Sequence, residues 1–155
     1  MTVNVKIRTV ISAIAGLSIS GVTIKDLDEI PGNTNLQPKT LYPNAEGVIR
    51  GLLPSRETYG TLGSEKINLD YGIRYRYVHC TPDGSPGGVY DVVDDCVETI
   101  ASILAVLLAN DTVNGAVDVW LTSMSDFPII VQDPAGNDFW GCDFTLGIKE
   151  FCEVS

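Results

Sequence analysis

Residues 65–80, EKINLDYGIRYRYVHC, alternate in polarity almost without interruption. Ile67, Leu69, Tyr71, Ile73, Tyr75, Tyr77 and His79 share one parity, and Lys66, Asn68, Asp70, Gly72, Arg74, Arg76 and Val78 share the other. Side chains on a strand point to alternate faces, so the pattern predicts one strand with an apolar and a polar face. Fully extended, it spans roughly 50 Å at about 3.3 Å per residue, whereas ordinary strands run about 5–6 residues. Such a strand is longer than the chain's own core requires.

Upstream, VIRGLL (48–53) reads as a facing strand, interrupted by Pro54, with Gly60 and Gly63 marking a turn. The two strands form a candidate long hairpin with its tip around residues 55–64. TPDGSPGG (81–88) then breaks the chain. Residues 89–108 predict a helix, with Val89, Val92, Val93, Cys96, Ile100, Ile103, Leu104 and Leu107 as its apolar stripe. Asp91, Asp94, Asp95, Glu98 and Ser102 lie opposite, and the acids sit in the first turns, where the helix dipole favours them.

Two further strands follow, AVDVWLTSM (116–124) and DFWGCDFTLGIKEFCEV (138–154), with DPAGN between them as a turn. At the other end, Ile7, Val10, Ile11, Ile14 and Leu17 predict a helix over residues 2–17. The connection that follows contains Pro31, Pro38 and Pro43 and reads as loop, with a short strand near residues 22–24. The order is α-β-β-α-β-β. It predicts a single α+β domain over residues 1–155: an antiparallel sheet with a long projecting hairpin and the helices packed on one face.

The net charge of −10, with 20 acids against 10 bases, argues against a protein that grips nucleic acid through its phosphates. It is compatible with a surface that nucleic acid slides past without sticking. The apolar fraction of 45% indicates a globular chain rather than a disordered one. Lys6 and Arg8 precede a short apolar run that imitates a leader, but the run is too short to span a bilayer. It is expected to be a retained structural helix.

Catalytic chemistry finds little to work with. The single histidine, His79, has no neighbouring nucleophile motif and is expected to pack beside the tyrosines. Cys80, Cys96, Cys142 and Cys152 lack metal-ligand spacing. Cys142 and Cys152 share a face of one strand and cannot bridge along it. All four are expected as reduced, mostly buried thiols, as in intracellular proteins. A zinc site through His79 and Cys80 is disfavoured because adjacent strand residues point apart. The cluster Asp91, Asp94, Asp95 and Glu98 is the one candidate for cation binding or acid–base work, but it reads first as a solvated helix face with favourable dipole placement. Asp126, Asp133 and Asp138 fall around turns, where Asp satisfies backbone donors. No cofactor, metal or catalytic residue is expected.

The tyrosines and arginines of YGIRYRY do not make a base-stacking platform, because alternation puts them on opposite faces. Arg74 and Arg76, with Arg50 and Arg56 on the facing strand, are instead the candidate subunit interface. A projecting hairpin has exposed edges that aggregate unless covered. A closed ring, in which each hairpin lies on or extends the neighbouring sheet, covers every edge.

The layout resembles the tail terminator (tail completion) proteins of long-tailed bacteriophages. The similar parts are the N-terminal helix, LYPNAEGVIRGLLPSRETYG, the strand EKINLDYGIRYRYVHC, the helix VYDVVDDCVETIASILAVLLAN and the closing NDFWGCDFTLGIKEF. The resemblance lies in size, element order and texture over residues 3–154, with no diagnostic motif. It implies a virion structural protein assembled in the host cytoplasm. That protein forms a ring, usually hexameric, that caps the tail tube, stops its elongation and meets a head-side neck protein, with genomic DNA passing through its lumen. It implies no catalytic residues. Competing readings are another neck or head-completion protein, a cytoplasmic binding adaptor, and an enzyme using the acidic cluster.

Overall fold

A computed structural model of the chain describes residues 5–30, 36–57, 66–82, 89–110, 118–133 and 135–153. They form a mixed seven-stranded sheet with helices α1 (Ile7–Ala15) and α2 (Val89–Ala109). The strands are β1 (Thr23–Ile24), β2 (Thr40–Pro43), β3 (Ile49–Glu57), β4 (Lys66–Cys80), β5 (Asp118–Met124), β6 (Ile129–Gln132) and β7 (Asp138–Glu153). The long alternating stretch is β4, at 15 residues, and it has a partner of its own length in β7, at 16. The two run antiparallel from Lys66↔Glu153 to Cys80↔Trp140.

This central pair is flanked by split strands. β2 and β3 share the outer edge of β4, and β5 and β6 share the outer edge of β7. The chain leaves the ladder between β2 and β3 over residues 44–48. It does so again between β5 and β6, where the Phe127–Pro128 bond is cis.

The sheet is not wholly antiparallel as predicted: β1 runs parallel to β2, through Thr23↔Thr40 and Ile24↔Leu41. β1 is the short strand anticipated near residues 22–24. β2 and β6 were not anticipated. Each has four residues and prolines close by, and proline is tolerated at the ends and edges of sheets. The predicted hairpin tip lies mostly outside the described residues.

Both helices pack on one face. Leu69, Tyr71, Ile73, Tyr75 and Tyr77 of β4 and Cys142, Phe144, Leu146, Ile148 and Cys152 of β7 form one cluster with Val10, Ile11 and Ile14 of α1. Val92, Cys96, Ile100, Ile103 and Leu107 of α2 complete it. Tyr75 stacks on Phe144, with ring centroids 5.7 Å apart. The predicted stripe of α2 splits, because Val93 is exposed and Leu104 is only half-buried. Val93 instead joins Tyr90, Val97 and Leu108 in a second, outward-facing apolar line.

A carboxylate lies inside this core. Glu150 is fully buried and accepts from the Lys6 backbone N–H at 3.1 Å, the Tyr71 hydroxyl at 3.1 Å and the Cys152 thiol at 3.2 Å. Lys6 is the N-cap of α1 and its own side chain makes no cap bond. A side chain 144 positions away therefore supplies the acceptor for a backbone N–H at the start of the helix. All four cysteines are free thiols, three of them buried. Burial pushes Cys96 up to about 11 and Cys142 and Cys152 up to about 12, which keeps them protonated and unreactive.

Candidate functional site

The face of the sheet away from the helices has two regions. Toward the Cys80 end of β4 it carries a small second core of Tyr42, Val78, Val131 and Phe139, with Leu36 and Ile129 against it. Beside it, around the middle of β4, lies a groove. There a single row crosses four strands: Arg50 of β3 opposite Gly72 of β4, Gly72 opposite Gly147 of β7, and Gly147 opposite Trp120 of β5.

The Trp120 indole occupies the space that a Cβ on Gly147 would need, and the Thr145 side chain and the Arg50 backbone crowd Gly72 in the same way. Glycine at both positions thus gives the row its low floor. The result is a groove of about 350 Å³ with Arg50 on one wall and Trp120 on the other. Asp70 joins its lining and has a buried oxygen, Oδ1, without a hydrogen-bond partner.

The four predicted arginines have different surroundings. Arg50 is exposed at the groove. Arg56 is in β3 opposite Ile67. A bulge between Arg50 and Leu53 shifts the register, so Arg50 and Arg56 pair with different parities of β4. Arg74 is half-buried and donates weakly to the Gly47 carbonyl at 3.5 Å. Arg76 is engaged within the molecule: Nε and Nη2 donate to the two oxygens of Asp143 at 2.7 and 3.0 Å, and Glu46 lies 3.7 Å away. Arg76 and Asp143 are direct cross-strand partners, and this side chain is only 16% exposed. The bidentate bond to Asp143 raises its pKa against the cost of burial.

A second pocket of about 340 Å³ lies beside Arg76, lined by Tyr42, Asn44, Glu46 and Asp133 among others. Asp133 does what its turn position predicts. It accepts from the backbone N–H groups of Asn137 and Leu36 and from the Asn137 amide. Burial opposes its ionisation, but these bonds hold it below the usual carboxylate range.

On the helix side, His79 is buried beside Tyr77 as predicted, but it also meets α2. Its Nε2 lies 3.0 Å from Asp95 Oδ2, and Lys39 Nζ lies 3.4 Å from the same oxygen. The Asp95 carboxylate only accepts, so Nε2 carries the hydrogen and Nδ1 receives the Tyr77 hydroxyl at 2.8 Å. Burial holds His79 below its ordinary value of 6.5, although Asp95 pulls upward. Asp95 is held below the usual carboxylate range by Lys39 and His79, against desolvation. Asp95 is thus tied to the sheet, while Asp94 and Glu98 are exposed and the Asp91 side chain lies outside the described residues. Among the described residues, no group of three acids, cysteines or histidines is placed to hold a metal ion. No helix among them is long and apolar enough to cross a membrane.

Among the described residues, the outer edges of β1, β3, β5 and β6 pair with no further strand, and β3 and β5 are the longest of them. These two lie on opposite sides of the sheet. β3 carries Leu52 and Leu53, the latter 68% exposed, and β5 carries Trp120, 38% exposed. No known family model and no curated protein matches the chain.

Sequence reasoning placed Arg50 and Trp120 in strands but did not bring them together. The available signal was a glycine in each of the two long alternations, Gly72 and Gly147, both on the polar parity. Their register partners follow only from pairing β4 with β7.

Proposed function

We propose that this chain is a ring-forming structural protein of a phage virion, a tail terminator that caps the tail tube and joins it to the head-side neck. The observation that carries the reading is that the two longest outer strands, β3 and β5, lie on opposite sides of the sheet and have no further strand partner among the described residues. Two different edges make a head-to-tail contact, and such contacts close a ring where the rotation between copies divides the full turn, and otherwise run on as a filament. A subunit that covers both edges this way hides strand groups that otherwise invite aggregation.

Three further features support it. The outward apolar line of α2 and the exposed leucines of β3 are surfaces that assembly covers. The net charge of −10 suits a lumen through which DNA passes without being retained. The element texture resembles that of tail terminators, and the antiparallel β3–β4 pair stands where that reading expects its hairpin. The partners in this reading are further copies of the chain, six in the usual ring, the tail tube protein and a head-side connector.

Native mass spectrometry of the protein, alone and after mixing with tail tubes, tests the reading. A closed ring, free or on the tubes, is the expected result. A monomer that ignores tubes at micromolar concentration overturns it. Rings that bind empty heads rather than tubes reassign the protein to head completion.

A further inference from the structure

The free edges of β3 and β5 differ in direction, charge and shape, and these differences specify how copies meet. β3 is antiparallel to β4, β4 to β7, and β7 to β5, so β3 and β5 run antiparallel to each other within one subunit. Rotation about an axis along the strands preserves strand direction. It therefore brings β5 of one copy antiparallel to β3 of the next, continuing the alternation already present in the sheet.

The rows across the sheet give the level of the contact. One row is Leu53–Asp70–Lys149–Asp118, and the next is Arg50–Gly72–Gly147–Trp120. The first row holds two acidic residues and one lysine, and it ends at the β5 edge on Asp118. The β3 edge carries the exposed Arg50 in the next row. A level junction sets Arg50 directly opposite the Trp120 of the next copy and diagonal to its Asp118. Long side chains reach such diagonal neighbours, and a guanidinium over an indole adds a cation–π contact. Leu53 then lies opposite Asp118, with its exposed side chain against the stems of that edge. The bulge after Arg50 and Pro54 within β3 keep this edge from templating arbitrary strands, so side-chain complementarity selects the partner.

We infer that the β3 edge of one copy docks antiparallel on the β5 edge of the next, with Arg50 seated against Trp120 and Asp118. The inference rests on the ring-forming reading and adds its polarity and contact residues. The test places the photo-cross-linking residue p-benzoylphenylalanine at Leu53 of the full chain, which is irradiated after assembly with or without tail tubes. Peptide mass spectrometry is expected to find the cross-link on the Asp118–Met124 strand of another copy. Assembled rings whose cross-links fall elsewhere overturn this docking and leave the ring reading standing. Absence of assembly under every condition overturns both.

A charge exchange gives a second readout. Asp118→Arg is expected to raise the concentration needed for half-assembly by about tenfold, as like charges meet across the junction. Adding Arg50→Asp to that variant is expected to restore assembly toward wild type. A double variant no better than Asp118→Arg alone also overturns the contact.

Discussion

His79 shows how one side chain can be read correctly in part. The alternation of β4 placed it among tyrosines, and Tyr77 does bond it. Its tie to Asp95 was not legible, because nothing in either segment's spacing says that this turn of α2 crosses this end of β4. The consequence is a pH dependence with a definite sign. In the folded protein His79 resists protonation, whereas in the unfolded chain it takes up a proton near 6.5. The stability it contributes is fully present above that value and is lost as pH falls through 6.5 toward its lower folded pKa. Thermal melting followed between pH 7.5 and 5.5 is expected to show a falling midpoint. His79→Gln, which has no charge to gain, is expected to flatten that slope. It is the single histidine in the chain, so no other imidazole contributes in this window. Arg76 was legible as a residue of the polar parity but not as half of a pair, since Asp143 comes from the other long strand.

At the scale of elements, the long strands and both helices were visible because their periodicity is strong. β2 and β6 were not, because four residues between prolines carry too few repeats for a period. The second core under those strands was hidden with them. Val78 stood on the predicted polar parity, and only β2 and β6 explain why an apolar residue belongs there. In α2 the predicted stripe included Val93, which the structure puts with Tyr90, Val97 and Leu108, so the helix has a buried and an outward apolar line. They are separable by experiment. Ile103→Ala or Leu107→Ala removes a fully buried side chain and is expected to cost about 2–5 kcal/mol in urea unfolding. Val97→Ala, on the outward line, is expected to change monomer stability by about 0.5 kcal/mol or less. A large cost at Val97 in the monomer would mean that the outward line packs against the chain's own residues.

For the whole molecule, the arginines that drew attention separate into roles. Arg76→Glu would set a third carboxylate against Asp143 and Glu46 and strip the bidentate bond from a largely buried site. It is expected to destabilise the fold by about 2–4 kcal/mol. Arg74→Glu loses only a long contact to Gly47 and is expected to leave the melting midpoint nearly unchanged. A double reversal would therefore confuse unfolding with loss of assembly, and Arg50 is the cleaner probe of an intermolecular surface. α+β class and the seating of helices on one face could be derived from pattern alone. Which edges remain free could not, because that depends on how seven strands, three of them short, are ordered across the sheet.

The central pair has one more consequence, in time rather than in space. β4 and β7 are separated in the chain by all of α2 and two strands, and Tyr71 meets Glu150 79 positions later. Most residue contacts join parts of the chain far apart in sequence, and high contact order makes folding slow. Until β7 arrives, β4 offers a long bare flank, Glu150 is absent from the head of α1, and β5 has no strand to pair with. A nascent or refolding subunit therefore exposes one side of its long central strand until the pairing most distant in sequence closes. In the proposed ring, the β5 edge would become available for docking only at that step.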